Sequence, residues 1–159
     1  MPTVEFAPPH TAESFRDAAP DAYRAMIALG DAVDHATLEE SVTELVKIRV
    51  SQVNGCAYCL QLHLNIARRV GVPEAKLGLV AVWPETSGVF TPRETAALAW
   101  AEQLARMPVS PVPETAWPAL RARFSEHEAT DLTVAIANIN AWNRLAGALR
   151  FPPPIPRRD

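Results

Sequence analysis

The chain has 159 residues, enough for one domain that buries an apolar core without disulfide or metal staples. Hydrophobic residues make up 48% and charged residues 21%, an ordinary globular composition. The net charge is −3 and lysines and arginines form no run, which argues against nucleic acid and anionic membrane as partners.

The opening segment MPTVEFAPPHTAESF has neither the basic start nor the apolar run of a leader peptide. Strict two-residue alternation, the strand signal, is scarce along the chain, so an all-α single domain over 1–159 is expected. A first helix is predicted over 20–35, with Pro20 in its first turn. Thr37-Leu38-Glu39-Glu40 has capping-box spacing and predicts a second helix from about Leu38. Its apolar positions Leu38, Val42, Leu45, Val46 and Val53 keep helical spacing, and Asn54-Gly55 stops it. A third helix is expected from Cys56 to just before Gly71. Pro73-Glu74 opens a short helix reaching about Val82, and a loop follows over 84–88.

Thr91-Pro92-Arg93-Glu94 joins a capping box to a proline at the first helical position, which predicts a helix over 92–107. Pro108, Pro111 and Pro113 make a stiff connection, and a short helix is expected within 113–124. Ser125-Glu126-His127-Glu128 is a further capping box, and it predicts a long helix ending near Leu149. The stretch 132–149 is the most apolar, but it carries Asn138, Asn140, Asn143 and Arg144, so it reads as a core or oligomer helix rather than a membrane span. The tail FPPPIPRRD, residues 151–159, is expected to be extended and to lie along a partner subunit.

The chain's two cysteines, Cys56 and Cys59, stand three apart, and His63 follows four residues later. On one helix they fall at i, i+3 and i+7, on a single face. Both sulfurs belong to the first turn, where unsatisfied N–H groups and the helix dipole favour thiolate over thiol. Thiolate is the nucleophilic form, and an imidazole exchanges protons near neutral pH. The expected compartment is the cytoplasm, where a CxxC is more often catalytic or metal-binding than a permanent staple.

Glu44 is a fourth candidate. It lies roughly 15 Å of helix before the Asn-Gly turn at 1.5 Å per residue, and His63 lies a similar distance after it, so the two can stand level on antiparallel neighbours. A carboxylate there would orient the imidazole and raise its basicity. This set suits two-electron reduction of a peroxide: one thiolate attacks the O–O bond, the second thiol condenses with the sulfenic acid, and an external dithiol restores the pair. Zinc competes for the same residues, since two thiolates, an imidazole and a carboxylate are sound ligands. Everything but the carboxylate sits on one short helix, however, and no second CxxC or histidine pair occurs. Neither metal nor cofactor is therefore expected. Two buried cysteines with no chemistry is the third reading.

The segment Glu44-Leu45-Val46-Lys47-Ile48 through Asn54-Gly55-Cys56-Ala57-Tyr58-Cys59, His63 and Gly71-Val72-Pro73-Glu74 resembles the core of the alkylhydroperoxidase D-like family, within the carboxymuconolactone decarboxylase superfamily. The resemblance spans about residues 38–80, and Trp142-Asn143-Arg144 also looks like single-domain members. It implies an all-helical fold, trimers or hexamers, and antioxidant peroxidase activity through a redox disulfide. Carried over, Cys59 would be the attacking thiolate and Cys56 the more exposed partner that meets the external dithiol reductant. Glu44 and His63 would form the proton relay.

Tyr58 departs from the pattern, because the best-studied members have histidine between the cysteines. A phenol titrates near 10 and is a poor general base, so Tyr58 reads as packing or pocket wall. Trp142, Asn143 and Arg144 read as structural or subunit contacts, and His10, His35 and His127 as surface residues. The alternatives are a redox-relay or redox-sensing dithiol protein, a metal-binding module, and a lactone decarboxylase; the decarboxylase branch lacks the cysteine pair.

Overall fold

Helices form wherever the sequence supplies a cap and an apolar stripe, and proline or glycine separates them. A computed structural model describes residues 10–34, 37–107 and 109–157. Among these residues the elements are α1 (Ala12–Ala18), α2 (Pro20–Asp34), α3 (Glu40–Asn54), α4 (Ala57–Arg69), α5 (Glu74–Leu79), a 3-10 turn (Val80–Glu85), α6 (Pro92–Arg106), α7 (Ala116–Arg121) and α8 (Glu126–Ala148), and there is no strand. The fold is all-α, as the sequence reading expected.

Two of the predicted capping boxes form. The Glu94 N–H donates to Thr91 Oγ1 at 3.1 Å while the Thr91 N–H donates to the Glu94 carboxylate at 2.8 Å. Ser125 and Glu128 do the same at the start of α8. The Ser125 N–H, joined by Arg93, holds the Glu128 carboxyl down at about 2.

The box expected at Thr37 does not form. Here α3 begins two residues later, at Glu40, with Glu39 as a cap that makes no side-chain bond to the helix. The Glu39 carboxylate takes the guanidinium of Arg93 at 3.1 Å, a tertiary ion pair at the start of α3. Helix α1 was not foreseen, because its cap pairs Thr11 with a serine, Ser14, rather than with Glu or Gln. The predicted loop after Val82 also starts late: the 3-10 turn carries Pro84 and runs to Glu85.

Helix α3 is the centre of the molecule and packs against α4, α6 and α8. Val42, Leu45, Val46, Ile48 and Val50 are buried, and so are Glu44 and Lys47, because no side of α3 faces water along this stretch. One apolar cluster fills the space between α3, α6 and α8; a second lies between α3, α4 and α5. Gly55 ends α3 at φ +69°, a left-handed conformation that suits glycine, and sends the chain back as α4. Residues 151–157 form no helix or strand, turn over 153–155, and fold onto their own chain. Phe151 is buried against Tyr58, and Asn65 Nδ2 donates to the Pro154 carbonyl at 2.9 Å.

Candidate active site

The tight corner between α3 and α4 places the cysteines. The Cys56 N–H donates back to the Ser51 carbonyl at 3.0 Å, so the chain leaves α3 with Cys56 already fixed. Cys56 is extended (φ −88°, ψ 100°) and is the cap of α4 rather than its first residue. Its sulfur accepts the Cys59 N–H at 3.3 Å, as a serine cap would. Cys59 sits in the first turn, and His63 follows one turn along.

Both thiols are free and buried, at 4% and 2% exposure for Cys56 and Cys59. Cys56 is by a small margin the more exposed of the two, and both sulfurs lie beneath the surface. The sulfurs also differ in charge. Cys56 is drawn down to about 7, first by a hydrogen bond from the Cys59 thiol, against the cost of burial, and then by the N–H groups of Cys59 and Tyr58. Cys59 is pushed up, first because its proton is held by Cys56 and then by burial. Sequence reasoning expected the helix end to favour thiolate at both positions. Two sulfurs in contact share one negative charge, and the cap position, where backbone donors converge, keeps it.

Glu44 and His63 meet across the α3–α4 pair. Glu44 Oε2 lies 2.8 Å from His63 Nδ1, and Glu44 Oε1 accepts from Lys47 Nζ at 3.0 Å. Burial pushes the Glu44 carboxyl up, but the hydrogen bonds and charges of His63 and Lys47 outweigh it and hold the carboxyl below its usual value. One carboxylate thus bridges an imidazole and an ammonium in the interior.

Cys59, Lys47, Tyr58 and His63 line a cavity of about 210 Å³. Helix α2 closes one side with Tyr23, Met26 and Ile27, and α8 another with Asn138, Ile139 and Trp142. Cys56 is not part of its wall. The predicted residues Cys59 and His63 open onto one space, Glu44 stands behind His63, and Cys56 stands behind Cys59. Tyr58 packs edge-on to Phe151 with ring centroids 5.3 Å apart, a wall residue whose hydroxyl burial pushes away from ionising.

Sequence reasoning missed Lys47, whose spacing from Glu44 reads as an ordinary surface pair, and the α2 and α8 residues. The three-residue step from Glu44 to Lys47 was the available signal, once α3 is known to be buried on every side. His10 is exposed, His35 lies outside the described residues, and His127 is mostly exposed with Asp131 Oδ2 3.3 Å away. Among the described residues no three His, Cys, Asp or Glu side chains are grouped to hold a metal ion, and no helix is long and apolar enough to cross a membrane.

A helical scaffold that buries a CxxC corner beside a Glu–His pair defines a class of protein. A model of the carboxymuconolactone decarboxylase family matches residues 20–103. The uncharacterized protein YdfG of Bacillus subtilis (strain 168) is 32% identical over 136 residues, covering 86% of this chain and 92% of that protein. Among solved structures, ATU0492 of Agrobacterium tumefaciens, a protein of unknown function proposed to be the antioxidant defence protein AhpD, superposes with a TM-score of 0.86. The two are 37% identical, over 92% of this chain and all of that one. An uncharacterized peroxidase-related protein of Ralstonia eutropha JMP134, described as an alkylhydroperoxidase AhpD core, gives a TM-score of 0.76 at 27% identity, over 87% of this chain and 73% of that one. The chain belongs to the carboxymuconolactone decarboxylase family, as an AhpD-like member.

Proposed function

We propose that the protein is a thiol-dependent peroxidase that reduces organic hydroperoxides or hydrogen peroxide through the Cys56–Cys59 pair. The observation that carries this reading is the shared cavity: Cys59 and His63 open onto one space, and Glu44 holds the imidazole from behind. A small oxidant fits such a space. The burial of both sulfurs favours it over a relay that hands oxidation directly to another protein, because a partner protein needs a sulfur at the surface.

In this mechanism the resting charge lies on Cys56, and Cys59 passes its proton along the sulfur–sulfur hydrogen bond as peroxide arrives. The Cys59 thiolate attacks one oxygen of ROOH, the O–O bond breaks, and the departing RO group takes a proton from His63 to leave as ROH. Cys59 is then a sulfenic acid. Cys56 attacks its sulfur, the S–S bond forms, the S–O bond breaks, and water leaves. An external dithiol reduces the disulfide and is itself oxidised. Glu44 keeps the ring in place and balances its charge through each transfer.

Copies of the chain assemble through apolar side chains that a lone chain leaves in water, Leu29, Val82 and Trp117 among them. The test of function is stopped-flow oxidation of the reduced protein by cumene hydroperoxide, followed by mass spectrometry of the Cys56–Cys59 disulfide. Rapid oxidation that Cys59→Ser abolishes is the expected result. Slow oxidation, or oxidation that survives the substitution, rejects the peroxidase reading.

A further inference from the structure

Asn143 projects from α8 and is 4% exposed. Its side-chain carbonyl accepts from Asn54 Nδ2 at 2.8 Å, and its Nδ2 donates to Ser51 Oγ at 3.1 Å. Both partners belong to the last turn of α3, next to the corner that presents the cysteines. Ser51 is itself anchored: its hydroxyl donates to the Lys47 carbonyl at 2.8 Å, while its own carbonyl receives the Cys56 N–H. Asn54 is shared with Asn140, one turn before Asn143 on α8, at 2.9 Å. The amide therefore has one orientation, and one N–H bond remains after Ser51 is served. The spare N–H lies at the corner that holds both thiols, and the amide draws each of them toward ionisation.

A buried carboxamide needs partners for its polar atoms, and here Asn54 serves the carbonyl and Ser51 one of the two N–H groups. A donor placed against sulfur is worth more to an anion than to a neutral thiol. We propose that Asn143 is a further member of the dithiol site: a donor clamped by Ser51 and Asn54 that stabilises the negative charge on whichever cysteine carries it. It faces Cys56 in the resting pair and Cys59 once the proton has crossed from Cys59 Sγ to Cys56 Sγ. The charge thus moves from the capping sulfur to the cavity-facing one without losing its donor. This rests on the dithiol reading of Cys56 and Cys59 but on no particular oxidant.

The charged and titratable groups around the sulfurs are Glu44 and Lys47 from α3, Tyr58 and His63 from α4, and Tyr23 and Asp31 from α2. Substituting Asn143 changes none of them. The experiment is the pH dependence of iodoacetamide alkylation of the fully reduced protein. Asn143→Leu keeps the volume and removes the donor, and it is expected to raise the alkylation midpoint so that the thiolate fraction at pH 7 falls about tenfold. Asn140→Ala, which disturbs the same network without touching sulfur, leaves the midpoint unchanged.

A second measurement needs no variant. The side-chain NH₂ resonances of Asn143 in the wild-type protein should titrate with the thiol midpoint. A folded Asn143→Leu protein with the wild-type midpoint overturns the proposal, as do Asn143 resonances that ignore the thiol titration. Neither readout involves peroxide. Failure of the peroxidase reading would leave them standing, and they can fail while peroxide is still reduced.

Discussion

Glu44 Oε2 and His63 Nδ1 stand 2.8 Å apart although 19 residues separate them, and only the α3–α4 corner brings them together. The same carboxylate holds the Lys47 ammonium, so a single buried acid orients a proton carrier and compensates a cation. Replacing Glu44 therefore has two consequences that can be separated.

Glu44→Gln keeps the shape and removes the charge. Oxidation by cumene hydroperoxide is expected to slow about 100-fold, the scale of lost acid–base assistance. It also removes one charged partner from the buried Lys47 ammonium, which lowers stability in urea denaturation. His63→Ala should reproduce the kinetic loss with less destabilisation. Full-speed oxidation in both variants would remove the pair from the mechanism.

Peptide mapping after brief alkylation of the reduced protein is expected to find label first on Cys56, with a midpoint of about 7. Cys59→Ala removes the thiol whose hydrogen bond contributes most to that value, so the midpoint should climb toward the 9.0 of an unperturbed thiol. First labelling at Cys59 would reverse the assignment of the resting charge.

The stability of the reduced protein should depend on pH through the same pair. Cys56 ionises at about 7 when folded and at 9.0 when unperturbed, so between those values the unfolded chain holds more protons and stability rises with pH. The contribution is fully present above 9.0 and lost as pH falls through about 7. Cys59, raised by its neighbour and by burial, has the opposite sign, and it lowers stability as pH climbs past 9.0. The thiol contribution should peak near pH ~9, about 2 kcal/mol above its acid value. Urea denaturation across the range checks it, and Cys56→Ala should flatten the rise.

Ile27 lines the cavity from α2 and is 41% exposed, so a larger side chain there fills the entrance without overpacking the core. Ile27→Trp should slow oxidation by cumene hydroperoxide about tenfold and oxidation by hydrogen peroxide much less. Equal slowing of both oxidants would mean that peroxide reaches Cys59 by another route.

Much of the scaffold was readable residue by residue. The Thr91 and Ser125 boxes, the Asn54-Gly55 stop and the common face of Cys59 and His63 on α4 are local features, each fixed within a turn or two. Two helix starts were misread: α3 begins at Glu40, with Glu39 paired to the distant Arg93, and α1 is capped by Thr11 through a serine partner. The reading also treated the two sulfurs as equivalent, since sequence does not say that one becomes the cap and the other its donor.

Sequence alone determined the helical periods, the corner between α3 and α4, and which residue types share the face of α4, because backbone hydrogen bonds and side-chain spacing act over a few residues. Only the tertiary structure decided that Glu44 and Lys47 are buried, that α2 and α8 wall a cavity onto Cys59, and that Asn143 of α8 bonds Ser51 and Asn54 beside the cysteine corner. Those outcomes depend on which helices pack together, and packing sums many weak apolar contacts between segments far apart in the chain.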